Sequence, residues 1–580
     1  MLFGTFIVYF ILFLAPHLLA KKQKQTLPKP PIVMSEKGIY HKSTHEFIQS
    51  TPYYSFSGIQ YGRVLERFSE PVPVCQKPHS RKCRKGNPLI SRLRPHDDQG
   101  RDNSSCPQAV PKWMAHNDER SRENGSTRAS VDEVEDCLFL DIFIPDHVWH
   151  HTQNRPDLGY APTLVWIHDG GFTSGNKQLE GGPDALLERT IEFHNVGAII
   201  VSINYRLGLF GFLYGDRDIV SNVGLLDQRM ALAWIQKHIQ KFGGDPYRVT
   251  VIGEGAGAGA ILHHITAPNM TRHLFRHYRK PSKHYQLFPF RSAIMQSPTF
   301  QPMSTSQSKL RVTKILDKAS ELSGIRITHL AQIRELPFKI LCDVNTALVQ
   351  ESPHGTFTFG PVVDYRKSDK SYVPDSPLRR LKSGKMEKNL NILVGYRKME
   401  GRFFTPSSAG TNQGFQAHLA NILPSVSRRN IRYMSDLLYP ISDYSDGDQS
   451  GMNRSANALQ DLFMGCNVHY LLVFMERSYG YVLDTAWSNR EKYLEKILIR
   501  GGAVPWGDST TKRVAMWLQA VFLQFGMFAT EGAYEAKLLP YHENRTVMLG
   551  TDDGFMGFVP NSAASRQCRY WTYAPYEVIT

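Results

Sequence analysis

The stretch Val249–Ala260 reads VTVIGEGAGAGA, and its residue types have the spacing of a nucleophile elbow. β-Branched Val249, Val251 and Ile252 lead into Gly253-Glu254-Gly255-Ala256-Gly257, after which a helical pattern begins. An elbow sets a reactive side chain on a one-residue turn between strand and helix, with glycines where the two nearly touch. Acyl transfer would need a serine at the middle position, and here that position is Gly255. Glycine takes positive φ without penalty and removes about 1–3 kcal/mol of strain that a side chain would carry there. The expectation is a turn kept without its reactive atom.

Such a turn needs a sheet to feed it. Short apolar runs at Leu138–Pro145, Thr163–His168, Ala198–Asn204, Val249–Ile252, Ala293–Gln296 and Asn391–Gly395 read as strands. They show no clear alternation, which suits strands covered on both faces. Helical patterns intervene, notably Gly224–Phe242. Strands alternating with helices imply a largely parallel α/β sheet with its chemistry at the strands' carboxyl ends. Beyond Ser297 the pattern is mostly helical, and Val514, Trp517, Leu518, Val521, Phe522 and Phe525 mark an amphipathic helix suited to core or dimer face. No repeat or linker divides residues 50–580, which read as one large domain.

The first 49 residues read differently. Leu2–Ala20 is a long apolar run, interrupted near its end by Pro16 and His17, and suits a secretory signal peptide over residues 1–20. An uncleaved N-terminal anchor is the alternative. Residues 21–49 are Lys-rich and broken by Pro28, Pro30 and Pro31, the composition of a polar leader rather than a packed element. Sequons at Asn103, Asn124, Asn269, Asn453 and Asn544 suit a secreted glycoprotein, as do seven cysteines. Cys75, Cys83, Cys106, Cys137, Cys342, Cys466 and Cys568 form no CxxC pair, so no metal site is read from them and no cofactor is expected. Cys75 and Cys83 could close a small local ring. A net charge of +15 points to anionic partners such as heparan sulfate, with basic segments at Lys77–Arg94 and Arg272–Lys283, although solvated loops would look the same. Nucleic acid is not an expected partner on the secretory route.

Several ordered motifs then coincide with one family. Glu135-Asp136-Cys137-Leu138-Phe139-Leu140-Asp141, Ile203-Asn204-Tyr205-Arg206-Leu207-Gly208, Gly224-Leu225-Leu226-Asp227-Gln228, Phe242-Gly243-Gly244-Asp245-Pro246 and Ala293-Ile294-Met295-Gln296-Ser297 all occur in sequence. From about Tyr53 to its end the chain resembles the type-B carboxylesterases and cholinesterases. The resemblance implies the α/β-hydrolase fold and disulfides Cys106–Cys137 and Cys466–Cys568, and it matches Arg67 and Glu135 to the family's buried ion pair. The family's middle disulfide loop has no counterpart, and Cys342 has no evident partner.

The same resemblance assigns the catalytic positions, and here the chain departs from the pattern. Gly255 stands at the nucleophile position, as in several non-enzymatic relatives such as the neuroligins. Glu400 matches the acid, and Arg500 aligns with the base histidine. Arginine stays protonated and cannot act as a general base; pairing with Glu400 is its expected alternative. The oxyanion donors implied are the backbone N–H groups of Gly170, Gly171 and Ala256, with Asp169 replacing a family glycine beside them. An inward-pointing Asp169 would disfavour a bound anion.

These departures lead to the expectation of an inactive, secreted or cell-surface member similar to the cholinesterase-like adhesion proteins (neuroligin, neurotactin, gliotactin, glutactin). Its partner would be an extracellular protein, with a homodimer through the family's helical face. The alternatives are a carrier of a small apolar ligand above Gly255, a polyanion or matrix binder, and a residual ester hydrolase.

Overall fold

The computed structural model describes residues 30–573 except 37–38, 49–50, 75–103, 116–131, 156, 158, 179–185, 188, 191–196, 216–218, 269–287, 302–304, 365–370, 445–448, 485–508, 552–555 and 562–565. In chain order the described strands are β1 (Ile32–Glu36), β2 (Ile39–Lys42), β3 (Thr44–Ile48), β4 (Thr51–Gln60), β5 (Ser104–Ser105), β6 (Asp132–Glu133) and β7 (Phe139–Pro145). Then follow β8 (Ala161–Ile167), β9 (Ile199–Ile203), β10 (Gly244–Glu254), β11 (Ser292–Gln296), β12 (Asn391–Arg397), β13 (Arg477–Asp484), β14 (Thr546–Thr551) and β15 (Met556–Pro560). An 11-stranded sheet runs β15-β14-β13-β12-β11-β10-β8-β9-β7-β4-β3. From β14 to β9 every neighbouring pair is parallel, and the pairs outside that block are antiparallel.

Every residue of β7, β8, β9, β11 and β12 is buried, which accounts for strands without alternation. Four helices matter below: α1 (Asp146–Asn154), α2 (Val223–His238), α3 (Ala256–Thr266) and α4 (Ser509–Phe528). Val514, Leu518, Val521, Phe522 and Phe525 of α4 pack on Leu164, Ile252, Ile294 and Leu393 of the sheet. The amphipathic face read in the sequence is therefore core. This is the α/β-hydrolase architecture, a large, mostly parallel sheet covered by helices.

The N-terminal segment differs from the unpacked leader expected over residues 21–49. From Ile32 onward it is structured: β1 and β2 form an antiparallel hairpin, and β3 pairs with β4 at the edge of the main sheet. The His41 ring packs against Trp234 and Phe242, Glu36 pairs with Lys237 and His238, and Lys241 Nζ donates to the Ser35 carbonyl at 2.6 Å. In β1 the inward positions hold Val33 and Ser35 while Ile32 and Met34 face out, so the strand carries no hydrophobic alternation to read. Residues 1–29, including the expected signal peptide, lie outside the described residues. No described helix is long and apolar enough to cross a membrane.

Candidate functional site

Strands β8, β10, β11 and β12 are neighbours, and their carboxyl ends bring His168-Asp169, Gly255, Ser297 and Glu400 to one place. Gly255 has φ 52 and ψ −115 and links β10 directly to α3. Its N–H donates to the Gln296 carbonyl at 3.0 Å, and its own carbonyl accepts from Gly259 at 2.9 Å and Thr299 at 3.0 Å. Two residues later the helix lies so close to β8 that a Cβ on Gly257 would stand 2.0 Å from the Ile167 carbonyl oxygen. The turn is that of an elbow with no side chain at its tip.

A neighbouring carboxylate fills the space. Asp169 Oδ1 accepts the N–H of Ala256 at 2.7 Å and that of Gly171 at 3.3 Å. A Cβ built on Gly255 would lie 2.4 Å from Asp169 Oδ1 and 2.5 Å from its Cγ. Asp169 thus points inward, taking two of the three backbone donors read as an oxyanion hole and crowding the place of an elbow side chain. Gly170 contributes its carbonyl, which accepts from the backbone N–H groups of Thr173 and Ser174, each at 3.1 Å.

At the acid position Glu400 is held by Arg397 and Ser297, while Arg500, its expected partner, lies outside the described residues. Glu400 Oε1 accepts from Arg397 Nη2 at 2.7 Å, and Glu400 Oε2 accepts from Ser297 Oγ at 2.5 Å and the Arg397 N–H at 3.3 Å. Burial opposes the charge of Arg397, yet the carboxylates of Glu400, Glu254 and Asp169 raise its pKa above the usual arginine range. The Tyr481 hydroxyl nearby is held protonated by burial and by the fields of Glu254 and Glu400. One guanidinium therefore faces three acidic side chains. Arg397 ends β12 and was not singled out in the sequence; its offset of three from Glu400 was the available signal.

Comparison with known proteins now decides the family. The carboxylesterase family model matches residues 37–496. The chain is 30% identical over 577 residues to carboxylesterase patB of Aspergillus clavatus, covering 93% of this chain and 95% of the relative. It belongs to the carboxylesterase family. Acetylcholinesterase of Danio rerio is 29% identical over 359 residues, covering 60% of this chain and 51% of that protein. Among solved structures, Aspergillus niger EstA superposes with a TM-score of 0.68 at 19% identity over 94% of this chain and 98% of that one.

In this carboxylesterase-family chain aromatic rings stand beside the oxyanion loop. Phe357 lies against Gly171, its Cε1 2.0 Å from where a Cβ would stand. Trp113 packs edge-on to Phe357 and Phe403, each at 5.5 Å between centroids, and donates to the Thr356 carbonyl at 3.0 Å. His168 stacks on Tyr205 at 4.3 Å. Burial pushes its pKa down to about 4, against the pull of the Asp169 carbonyl and carboxylate, so at neutral pH it is an uncharged ring.

The structure forms the disulfides Cys106–Cys137 and Cys466–Cys568, while Cys342 is a free thiol. Arg67 Nε donates to Glu135 at 2.6 Å, and its Nη1 reaches the Arg334 and Leu336 carbonyls. That ion pair is partly exposed rather than buried, with side-chain exposures of 18% and 28%. Among the sequons, Asn544 is exposed at the end of a short helix. Asn453 is half-buried in the Ser450–Gln460 helix, with its Oδ1 accepting from Arg402. Arg500, Cys75, Cys83, Asn103, Asn124, Asn269 and both basic segments lie outside the described residues.

Proposed function

We propose that this protein is a non-hydrolysing member of the carboxylesterase family that acts in extracellular protein recognition, similar to the cholinesterase-like adhesion proteins. The observation that carries the reading is the Asp169 carboxylate on the Ala256 N–H beside a side-chain-free Gly255. Acyl transfer develops negative charge on the former carbonyl oxygen, and donors aimed at that charge supply much of the rate. A resident carboxylate uses those donors in the ground state and repels the oxyanion that would replace it. With Gly255 there is also no oxygen at the elbow to attack an ester. The surrounding frame of strand ends, turn and disulfides is left free to present a surface, and fold alone does not dictate chemistry.

Secretion, an unidentified cell-surface or matrix partner and a homodimer remain parts of the proposal. The test pairs two measurements on the secreted protein: turnover of short-chain aryl esters with serine-hydrolase probe labelling, and a binding screen against cell-surface and matrix proteins. The expected result is no turnover above buffer, no labelling, and a saturable protein partner whose binding survives Asp169→Asn. Turnover that is abolished by Asp169→Asn or Glu400→Gln would overturn the reading.

A further inference from the structure

A second cluster lies at the far edge of the sheet and is independent of the elbow and its neighbours. We propose that His45, Asp146 and His150 form a binding site for a divalent transition-metal cation, zinc being the ion their chemistry fits best. Strand register assembles it. His45 in β3 is the direct cross-strand partner of Tyr54 in β4, and Tyr54 pairs in turn with Ile144 of β7. Two residues beyond Ile144 the chain enters α1 at Asp146, and His150 follows at i+4 on the same helix face.

The distances converge on one oxygen. Asp146 Oδ1 lies 3.8 Å from His45 Nε2 and 3.4 Å from His150 Nε2. Ligands bound at about 2.0–2.1 Å in tetrahedral geometry stand roughly 3.3 Å apart. Both separations are near that spacing and beyond or at the limit of a good hydrogen bond. His45 has only 8% of its side chain exposed, yet neither of its ring nitrogens has a hydrogen-bond partner, and Asp146 Oδ1 has none either. A buried imidazole left in that state calls for an explanation. A cation between the three groups supplies one.

The surroundings suit a held ligand set. Tyr54 stacks on the His45 ring at 5.0 Å and fixes its plane. Two imidazoles and one carboxylate suit zinc and its neighbours, whereas calcium and magnesium take oxygen ligands. The three groups stand somewhat further apart than the ligands of a filled site. The described side chains converge more tightly only at Asp461, Cys466 and Cys568, where both sulfurs form a disulfide. His150, with 47% of its side chain exposed, is the member of the set least held by its surroundings, and closing the set requires it to move. Bound metal would tie edge strand β3 to α1 and stabilise the folded chain by mass action.

The experiment is a zinc chloride titration of the chelator-stripped full-length protein by calorimetry, with thermal unfolding measured in parallel. We expect saturable zinc binding and a rise in Tm that calcium chloride does not produce. His150→Ala and Asp146→Asn should each weaken the affinity at least about tenfold. His45→Ala could loosen β3 itself, so the decisive variant is His150→Ala, which alters a largely exposed side chain. No zinc binding at micromolar concentration would overturn the proposal. So would unchanged binding in both His150→Ala and Asp146→Asn, or an equal Tm rise with calcium.

Discussion

Asp169 does two things at the site with one side chain: its carboxylate satisfies the Ala256 N–H and stands where an elbow side chain would project. Placing a serine at Gly255 alone should therefore strain the turn. In Gly255→Ser the new Cβ would sit 2.4 Å from Asp169 Oδ1, in a backbone with φ 52. Strain at such a φ costs about 1–3 kcal/mol, and overpacking adds about 1–3 kcal/mol. Urea unfolding should show a loss of about 2–6 kcal/mol, the sum of those two ranges, with part of it recovered in Gly255→Ser/Asp169→Gly. An equal loss in single and double variants would mean that the carboxylate does not crowd the turn. Arg397 gives a second residue-scale expectation. Removing one member of a buried ion pair leaves the other charge uncompensated, at about 3–5 kcal/mol, so Arg397→Met should destabilise by that order. Pairing it with Glu400→Gln should return a measurable share, because the two groups are coupled at 2.7 Å.

Helix α3 shows how an element can carry a pH dependence. Its His264 is fully buried, with Nδ1 2.5 Å from the Tyr372 hydroxyl and Nε2 2.8 Å from Gln228 Oε1. Burial pushes its pKa down to about 3, helped by the charges of His263 and Arg229, and burial holds His263 at about 4. A histidine depressed on folding takes up a proton only when the chain unfolds, so its contribution is complete above about pH 6.5 and is lost progressively as pH falls toward the folded value, about 3 for His264. Asp364 and Asp461, raised by burial to about 6, work in the opposite direction. The difference between variants isolates the histidine. Relative to the wild type, His264→Gln should flatten the stability profile between pH 6.5 and 4 by one proton, about 1.4 kcal/mol per pH unit. Parallel profiles would rule this out. Elements are also where sequence reading worked best. The central strands were legible because burial on both faces writes itself as unbroken apolar runs. β1 to β3 were not, because β1 buries a serine and exposes Ile32 and Met34, and their anchors, Trp234, Phe242 and Glu36's partners on α2, lie some 200 residues away. At the site, Gly255, Asp169 and Glu400 could be located by motif. The Arg397–Glu400 pairing had only its offset of three as a signal, because it depends on how the chain turns after β12, and Arg500, placed by alignment, lies outside the described residues.

On the scale of the whole molecule, the frame is held by long-range ties that do not pass through the elbow. Cys466 opens the Cys466–Phe474 helix, whereas Cys568 lies in the Arg566–Tyr573 helix near the C-terminus, 102 residues later. Around that bond, Trp571 is almost wholly buried and donates to the Tyr439 hydroxyl at 2.8 Å, and the Tyr470 hydroxyl donates to the Cys568 carbonyl at 3.2 Å. The disulfide thus holds the C-terminal helix on a body it already fits. In the chain-entropy model a loop of about 100 residues restricts the unfolded ensemble by about 4.7 kcal/mol. The Cys106–Cys137 loop, with a separation of 31, should give roughly 1 kcal/mol less by the same logarithm. Cys466→Ala/Cys568→Ala should therefore lower the urea-unfolding free energy by about 2–5 kcal/mol, and Cys106→Ala/Cys137→Ala by somewhat less. Neither pair includes Asp169, Gly255 or Glu400, so binding of the proposed partner by the folded fraction should be unchanged in both. If removing the longer loop proved harmless, the packing of Trp571 and Tyr470 alone would suffice to hold the C-terminal helix. If it abolished partner binding at full folding, the recognition surface would have to include that helix.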